Sequence, residues 1–174
     1  MMLSLLLLAQ AAASAPAAAL PAWKFAERTN AAGVRSVSAS VAGYDGVSRL
    51  VVKCDVGQEP IVSIQFFQTA PLGQGEKPLG MRFDNGFANS YAWQSAGKGL
   101  YVSDPQAVTA LTTLLVKAKA VNVETTNASN FAVQATFAAP GGDAMVRKVL
   151  GVCGYTLGVV PPLPPAPPIE EEEQ

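Results

Sequence analysis

Residues 131–155 read FAVQATFAAPGGDAMVRKVLGVCGY, and the order of elements in this stretch decides the fold. Phe131, Val133, Ala135 and Phe137 alternate with Ala132, Gln134 and Thr136, which predicts a strand with one apolar face. Pro140-Gly141-Gly142 breaks that strand, and Asp143 stands where it can cap a helix. Val146, Val149, Leu150 and Cys153 then fall at i, i+3, i+4 and i+7, one face of the helix. Gly154 is a natural stop. Cys153 is therefore expected to point into a core.

The second cysteine, Cys54, ends another alternating run whose inward set is Leu50, Val52 and Cys54. Two inward-facing cysteines in a chain that reads as exported predict a Cys54–Cys153 disulfide; the alternative is two buried thiols. The bond would close a loop of about 100 residues, worth about 4–5 kcal/mol in the chain-entropy model.

Working outward, Trp23 to Arg28 predicts a first strand with Trp23 and Phe25 on one face. Val34 to Val41 predicts a weak strand at an edge. Val47 to Cys54 and Ile61 to Phe67 follow, the latter with Val62, Ile64 and Phe66 on one side. Ala70 to Lys77 reads as a glycine- and proline-containing loop. Leu79 to Asp84 and Phe87 to Ser95 flank Asn85-Gly86, a strong hairpin signal. Leu100 to Val102 is a short strand. Asp104-Pro105 opens a helix whose buried stripe is Val108, Leu111, Leu115 and Ala118. Val121 to Thr125 is the strand before the closing unit. The expected fold is mainly β or α+β: an antiparallel sandwich or curled sheet, with two helices in the C-terminal half and one disulfide. One domain spans residues 23–158.

The flanks differ in composition. Leu3 to Leu8 is a short apolar run followed by alanine and serine, as in a signal peptide, with small-x-small sites at Ala9-Gln10-Ala11 and Ala13-Ser14-Ala15. The run falls short of the ~20 residues of a spanning helix, and no cysteine lies near the cleavage region for a lipid anchor. Residues 1–22 are thus expected to be signal peptide and leader, and the mature protein to be periplasmic or secreted without a stable membrane span. The alternative is a hydrophobic N-terminal anchor. Residues 159–174 read as a proline-rich tail ending in four glutamates and a glutamine, a solvated arm or a docking arm.

Charge is nearly balanced at −1 and the charged fraction is 14%. No basic stripe stands out, which argues against nucleic acid as a partner. There is no histidine, which removes the commonest general base and metal ligand. No metal-ligand cluster, cofactor loop or catalytic set is evident: Gly73-Gln74-Gly75 is too short for a phosphate loop, and Ser95 has no activating partner. Asp45, Asp55, Asp84, Asp104 and Asp143 are scattered along the chain. Arg82 and Asp84 are the best charged pair. With Trp93 across the hairpin, and with Ser95, they form the candidate binding surface; the alternative is a structural ion pair that fixes the hairpin register.

The series Trp23, Leu50-Val51-Val52-Lys53-Cys54, Met81-Arg82-Phe83-Asp84 and Trp93-Gln94-Ser95 resembles the type VI secretion-associated VasI-like family of exported bacterial proteins. Ala107 to Leu115, Ala135-Thr136-Phe137 and Cys153-Gly154-Tyr155 extend the resemblance over most of residues 23–155. This chain has Lys53 where the family usually has arginine, Tyr155 where it often has tryptophan, and Gly141-Gly142 in place of Gly-Leu. The resemblance implies an exported, non-enzymatic accessory protein with an envelope protein as partner. The alternatives are a purely structural envelope protein and a small carboxylate-dependent hydrolase.

Overall fold

The structure is a computed structural model that describes residues 21–162. The signal-peptide reading of the N-terminus, up to residue 20, and the tail from residue 163 onward lie outside the described residues.

Nine strands form one antiparallel sheet: β1 (Lys24–Thr29), β2 (Arg35–Ala42), β3 (Arg49–Val56), β4 (Ile61–Phe67), β5 (Gly73–Phe83), β6 (Ala88–Gly97), β7 (Gly99–Val102), β8 (Ala120–Thr126) and β9 (Ala132–Ala138). Their order across the sheet is β1-β2-β3-β4-β7-β6-β5-β8-β9. Helix α1 (Pro105–Leu115) lies between β7 and β8 in the chain, and α2 (Ala144–Val152) follows β9. The sheet curls without closing. The Trp23 indole N–H donates to the Ala138 carbonyl at 2.7 Å. The Tyr44 N–H donates to the Thr136 carbonyl at 2.9 Å. These bonds tie the β1-β2 end to β9 across the opening. Behind them Phe66 of β4 meets Phe137 of β9 edge to face, with ring centroids 6.2 Å apart.

The inner face follows from period-two alternation carried through the register. Val41 pairs with Leu50, Val52 with Ile64, Phe66 with Leu100, Met81 with Val123, and Val121 with Phe137; all ten are buried. Helix α2 covers β2 and β3, and α1 covers β4. Val146, Val149 and Leu150 face inward as expected. Cys153 follows at the end of α2 and bonds Cys54 of β3, with Cα atoms 5.9 Å apart and a sequence separation of 99. Gly154, at φ 76°, then turns the chain. Its N–H donates to Gly151 and that of Tyr155 to Leu150, so the carbonyls freed at the helix end are satisfied.

Several local expectations change. Val34–Val41 is not an edge, because β2 lies between β1 and β3 with Val37, Ala39 and Val41 buried. Its polar alternate positions are serines on the outer surface. The expected loop over Ala70–Lys77 is strand from Gly73 onward, since Gly73 and Gly75 pair with Gly97 and Ser95 of β6. Both glycines have positive φ, at 100° and 79°, which lets the long hairpin bend without breaking its pairing. Phe131 precedes β9 and is 71% exposed. Asp104 caps α1, its carboxylate accepting from the Ala107 N–H at 2.8 Å. Asp143 does not cap α2: its own backbone is already helical, at φ −98° and ψ −13°, and its carboxylate pairs instead with Arg147 one turn on.

Candidate functional site

The residues expected to share one surface are separated by the register of the β5–β6 hairpin. Arg82 pairs with Ala88, so its outward-pointing neighbours on β6 are Ala88, Ser90 and Ala92. Trp93 pairs with Lys77 on the other side of the sheet and is fully buried. A two-residue turn at Asn85-Gly86 would have set Arg82 opposite Asn89 and Trp93 opposite Pro78, on one face. The actual turn is longer by one residue: Asp84 takes φ 50° and the Gly86 N–H donates to Phe83. One residue of register exchanges the two faces.

Asp84 has a positional role. Its carboxylate accepts from the backbone N–H groups of Lys119 at 2.8 Å and Ala120 at 2.9 Å, and its own N–H donates to the Ala120 carbonyl at 3.0 Å. The start of β8 is thereby fixed to the end of β5. Those donors, Ala120 before Lys119, hold the Asp84 carboxyl below its ordinary value of 3.8. Ser95 is buried on the inner side and donates its hydroxyl to the Gly73 carbonyl at 2.8 Å. The Trp93 indole N–H is buried without a hydrogen-bond partner among the described residues.

Arg82 stands apart from these three. It points outward beside β8 and β9 and lines a groove of about 500 Å³. Asn122 and Glu124 of β8, Gln134 and Thr136 of β9, and Tyr44-Asp45 from the turn after β2 line it too. The pairing of β5 with β8 sets Arg82 opposite Asn122 and Gly80 opposite Glu124. Gly80 leaves room over the sheet because it has no side chain. The Thr136 hydroxyl donates to the Asn122 side-chain carbonyl at 2.8 Å, which orients that amide. The bond from Tyr44 to Thr136 brings the tyrosine turn over the groove.

The groove's charges differ in how they are engaged. Burial pushes the Asp45 carboxyl up, but the Ser48 hydroxyl and the N–H groups of Ser48 and Val47 outweigh it and leave the group below 3.8. Asp45 is thus committed to its own turn. The ion pairs among the described residues are Arg35–Glu27, Lys53–Asp55 and Arg147–Asp143. Neither Arg82 nor Glu124 belongs to one, so a guanidinium and a carboxylate both face the groove with their hydrogen-bonding capacity open.

Of the groove residues, only Arg82 stood out in the sequence. Asn122 and Glu124, like Gln134 and Thr136, occupy the polar alternate positions of two readable strands. Their convergence on Arg82 depends on β8 lying beside β5, which no local pattern encodes. Among the described residues no three His, Cys, Asp or Glu side chains gather as a metal site would require, and no helix is long and apolar enough to cross a membrane. No family model, curated protein or solved structure matches the chain.

Proposed function

We propose that this protein is an exported, non-enzymatic accessory module of the bacterial envelope, periplasmic or secreted, that captures a polar partner in the groove around Arg82. The observation that carries this reading is the unpaired Arg82 and Glu124 in one groove, beside amides that present both donors and acceptors. Such a set recognises a partner of mixed polarity and leaves its own charges unsatisfied until that partner arrives. The Cys54–Cys153 bond fits an oxidising compartment. The resemblance to the VasI-like family makes an envelope protein, of a secretion apparatus in particular, the first partner class to test. Binding is favoured over catalysis because two of the acids nearest this region, Asp45 and Asp84, are engaged by backbone N–H groups.

The test is crosslinking and co-purification of the tagged mature protein from its own envelope fraction, beside Arg82→Ala and Glu124→Gln. The expected result is a specific partner whose recovery falls at least tenfold in Arg82→Ala while the melting temperature is unchanged. Equal recovery from wild type and Arg82→Ala would remove the groove from the proposal.

A further inference from the structure

The outer surface of β1–β4 has a different chemistry from the Arg82 groove. Arg28, Arg49 and Lys53 line a second, shallow groove of about 280 Å³, together with Ser36, Ser38, Ser40 and Gln65, and among the described residues no acidic side chain lines it. The register explains the shape. Ser36 and Ser38 of β2 pair with Arg28 and Ala26 on one side, and Ser38 pairs with Lys53 on the other. Short serine side chains thus form a floor between longer cationic walls. The Arg49 guanidinium lies 5.1 Å from the Phe67 ring centroid, which holds it in place without neutralising it. Lys53 has Asp55 at 2.8 Å, outside the groove lining. Arg28 and Arg49 have no ion-pair partner among the described residues.

Arg28 and Arg49 leave this surface net positive, on a chain whose net charge is −1. Four of the thirteen acidic residues are consecutive, Glu170 to Glu173. We propose that the outer face of β1–β4 is the docking surface for this acidic segment of the same chain. Charge complementarity is one argument: consecutive carboxylates meet a groove whose described lining holds Arg28 and Arg49 without an ion-pair partner, Lys53 shared with Asp55, and serine hydroxyls to complete the hydrogen bonds. Reach is the other. The Val159 carbonyl lies 3.5 Å from the Thr109 hydroxyl of α1, the helix that covers β4. Eight residue steps separate Pro162 from Glu170, and a proline-rich chain spans about 25 Å in that distance. α1 packs on the inner face of the sheet, so the segment has to round the sheet's margin to meet the outer one. Docked there, the acidic segment excludes other polyanions from the β1–β4 face and leaves the Arg82 groove open.

The test compares amide spectra of the full mature chain with those of the variant carrying Glu170→Gln, Glu171→Gln, Glu172→Gln and Glu173→Gln. The substitutions fall outside the described fold, so the β-sheet amides serve as their own control. At low ionic strength the Ser36, Ser38, Arg49 and Lys53 amides are expected to differ between the two proteins. Amides around Asn122 and Gln134 should coincide. The difference should vanish at about 0.5 M salt, where screening is short-ranged, and persist on tenfold dilution. Coincident β1–β4 amides at low salt would overturn the proposal, as would shifts centred elsewhere or shifts that fade on dilution. Shifts confined to β1–β4, or absent altogether, leave the proposed role of the Arg82 groove untouched.

Discussion

The two halves of the sheet are alike on the inside and unlike on the outside. Inside, β1–β4 and β5–β9 both present alternating apolar side chains, and they meet at Phe66 and Phe137. Outside, the groove on β1–β4 is lined by cations among serines, while β5, β8 and β9 line theirs with one arginine, one glutamate and the amides of Asn122 and Gln134. Core packing is satisfied by shape and hydrophobicity, and many sequences meet that demand equally well. The outer chemistry is under no such demand, so its division into a cationic groove and a mixed one is where the proposed recognition would reside. The comparison also separates stability from function: changes on the inner face should disturb both outer surfaces, and changes on one outer surface should leave the other alone.

Replacing both cysteines by serine is expected to have the largest effect. The bond spans 99 positions and joins α2 to β3; its loss should cost about 4–5 kcal/mol in the chain-entropy model, with measured losses running somewhat lower. Denaturant unfolding of the oxidised protein and the double variant measures the difference, and similar midpoints would show that packing alone holds α2 down. Phe137→Ala should follow, at about 3–5 kcal/mol for truncating a buried aromatic. This change should also loosen β9 against β2. Amide exchange at Tyr44 and Thr136 is therefore expected to accelerate more than exchange in β3; uniform acceleration would mean that the two halves do not behave as distinct units.

Asp84→Asn should lower the melting temperature by less than either core change, because it weakens two hydrogen bonds at the β5–β8 junction. Its folded carboxyl titrates below 3.8. The stabilisation is therefore complete above the unfolded value and is lost as pH falls through the folded one. Wild type and variant should differ at pH 7 and converge in strong acid, whereas a constant gap down to that range would mean that the charge is not what matters. Arg82→Ala should change stability least, by no more than about 0.5 kcal/mol for an exposed side chain with no ion-pair partner among the described residues.

The inner face was largely legible in the sequence because burial imposes a period that residues report locally. Leu50, Val52 and Cys54 of β3, Val62, Ile64 and Phe66 of β4, and Val146, Val149, Leu150 and Cys153 from α2 onward all point where alternation or helical spacing puts them. The paired cysteines followed from those two inward faces. What remained hidden depended on geometry between segments. The single extra residue in the Asp84–Gly86 turn moved Trp93 into the core and left Arg82 outside. The position of β8 next to β5 brought Asn122 and Glu124 to Arg82. Asp84 looked like half of an ion pair because strand spacing sets it two positions from Arg82, but it lies past the strand end in a turn. The cationic face is scattered across Arg28, Arg49 and Lys53 in sequence and becomes a surface only when β1, β2 and β3 pair.

The most direct test is partner capture from the envelope by three tagged proteins in parallel: wild type, Arg82→Ala and Arg49→Ala. All three should first show the same cooperative melt. If the mixed groove is the contact surface, recovery of the crosslinked partner falls at least tenfold in Arg82→Ala and holds in Arg49→Ala. Retention in Arg82→Ala with loss in Arg49→Ala would contradict the account and assign recognition to the opposite half of the sheet.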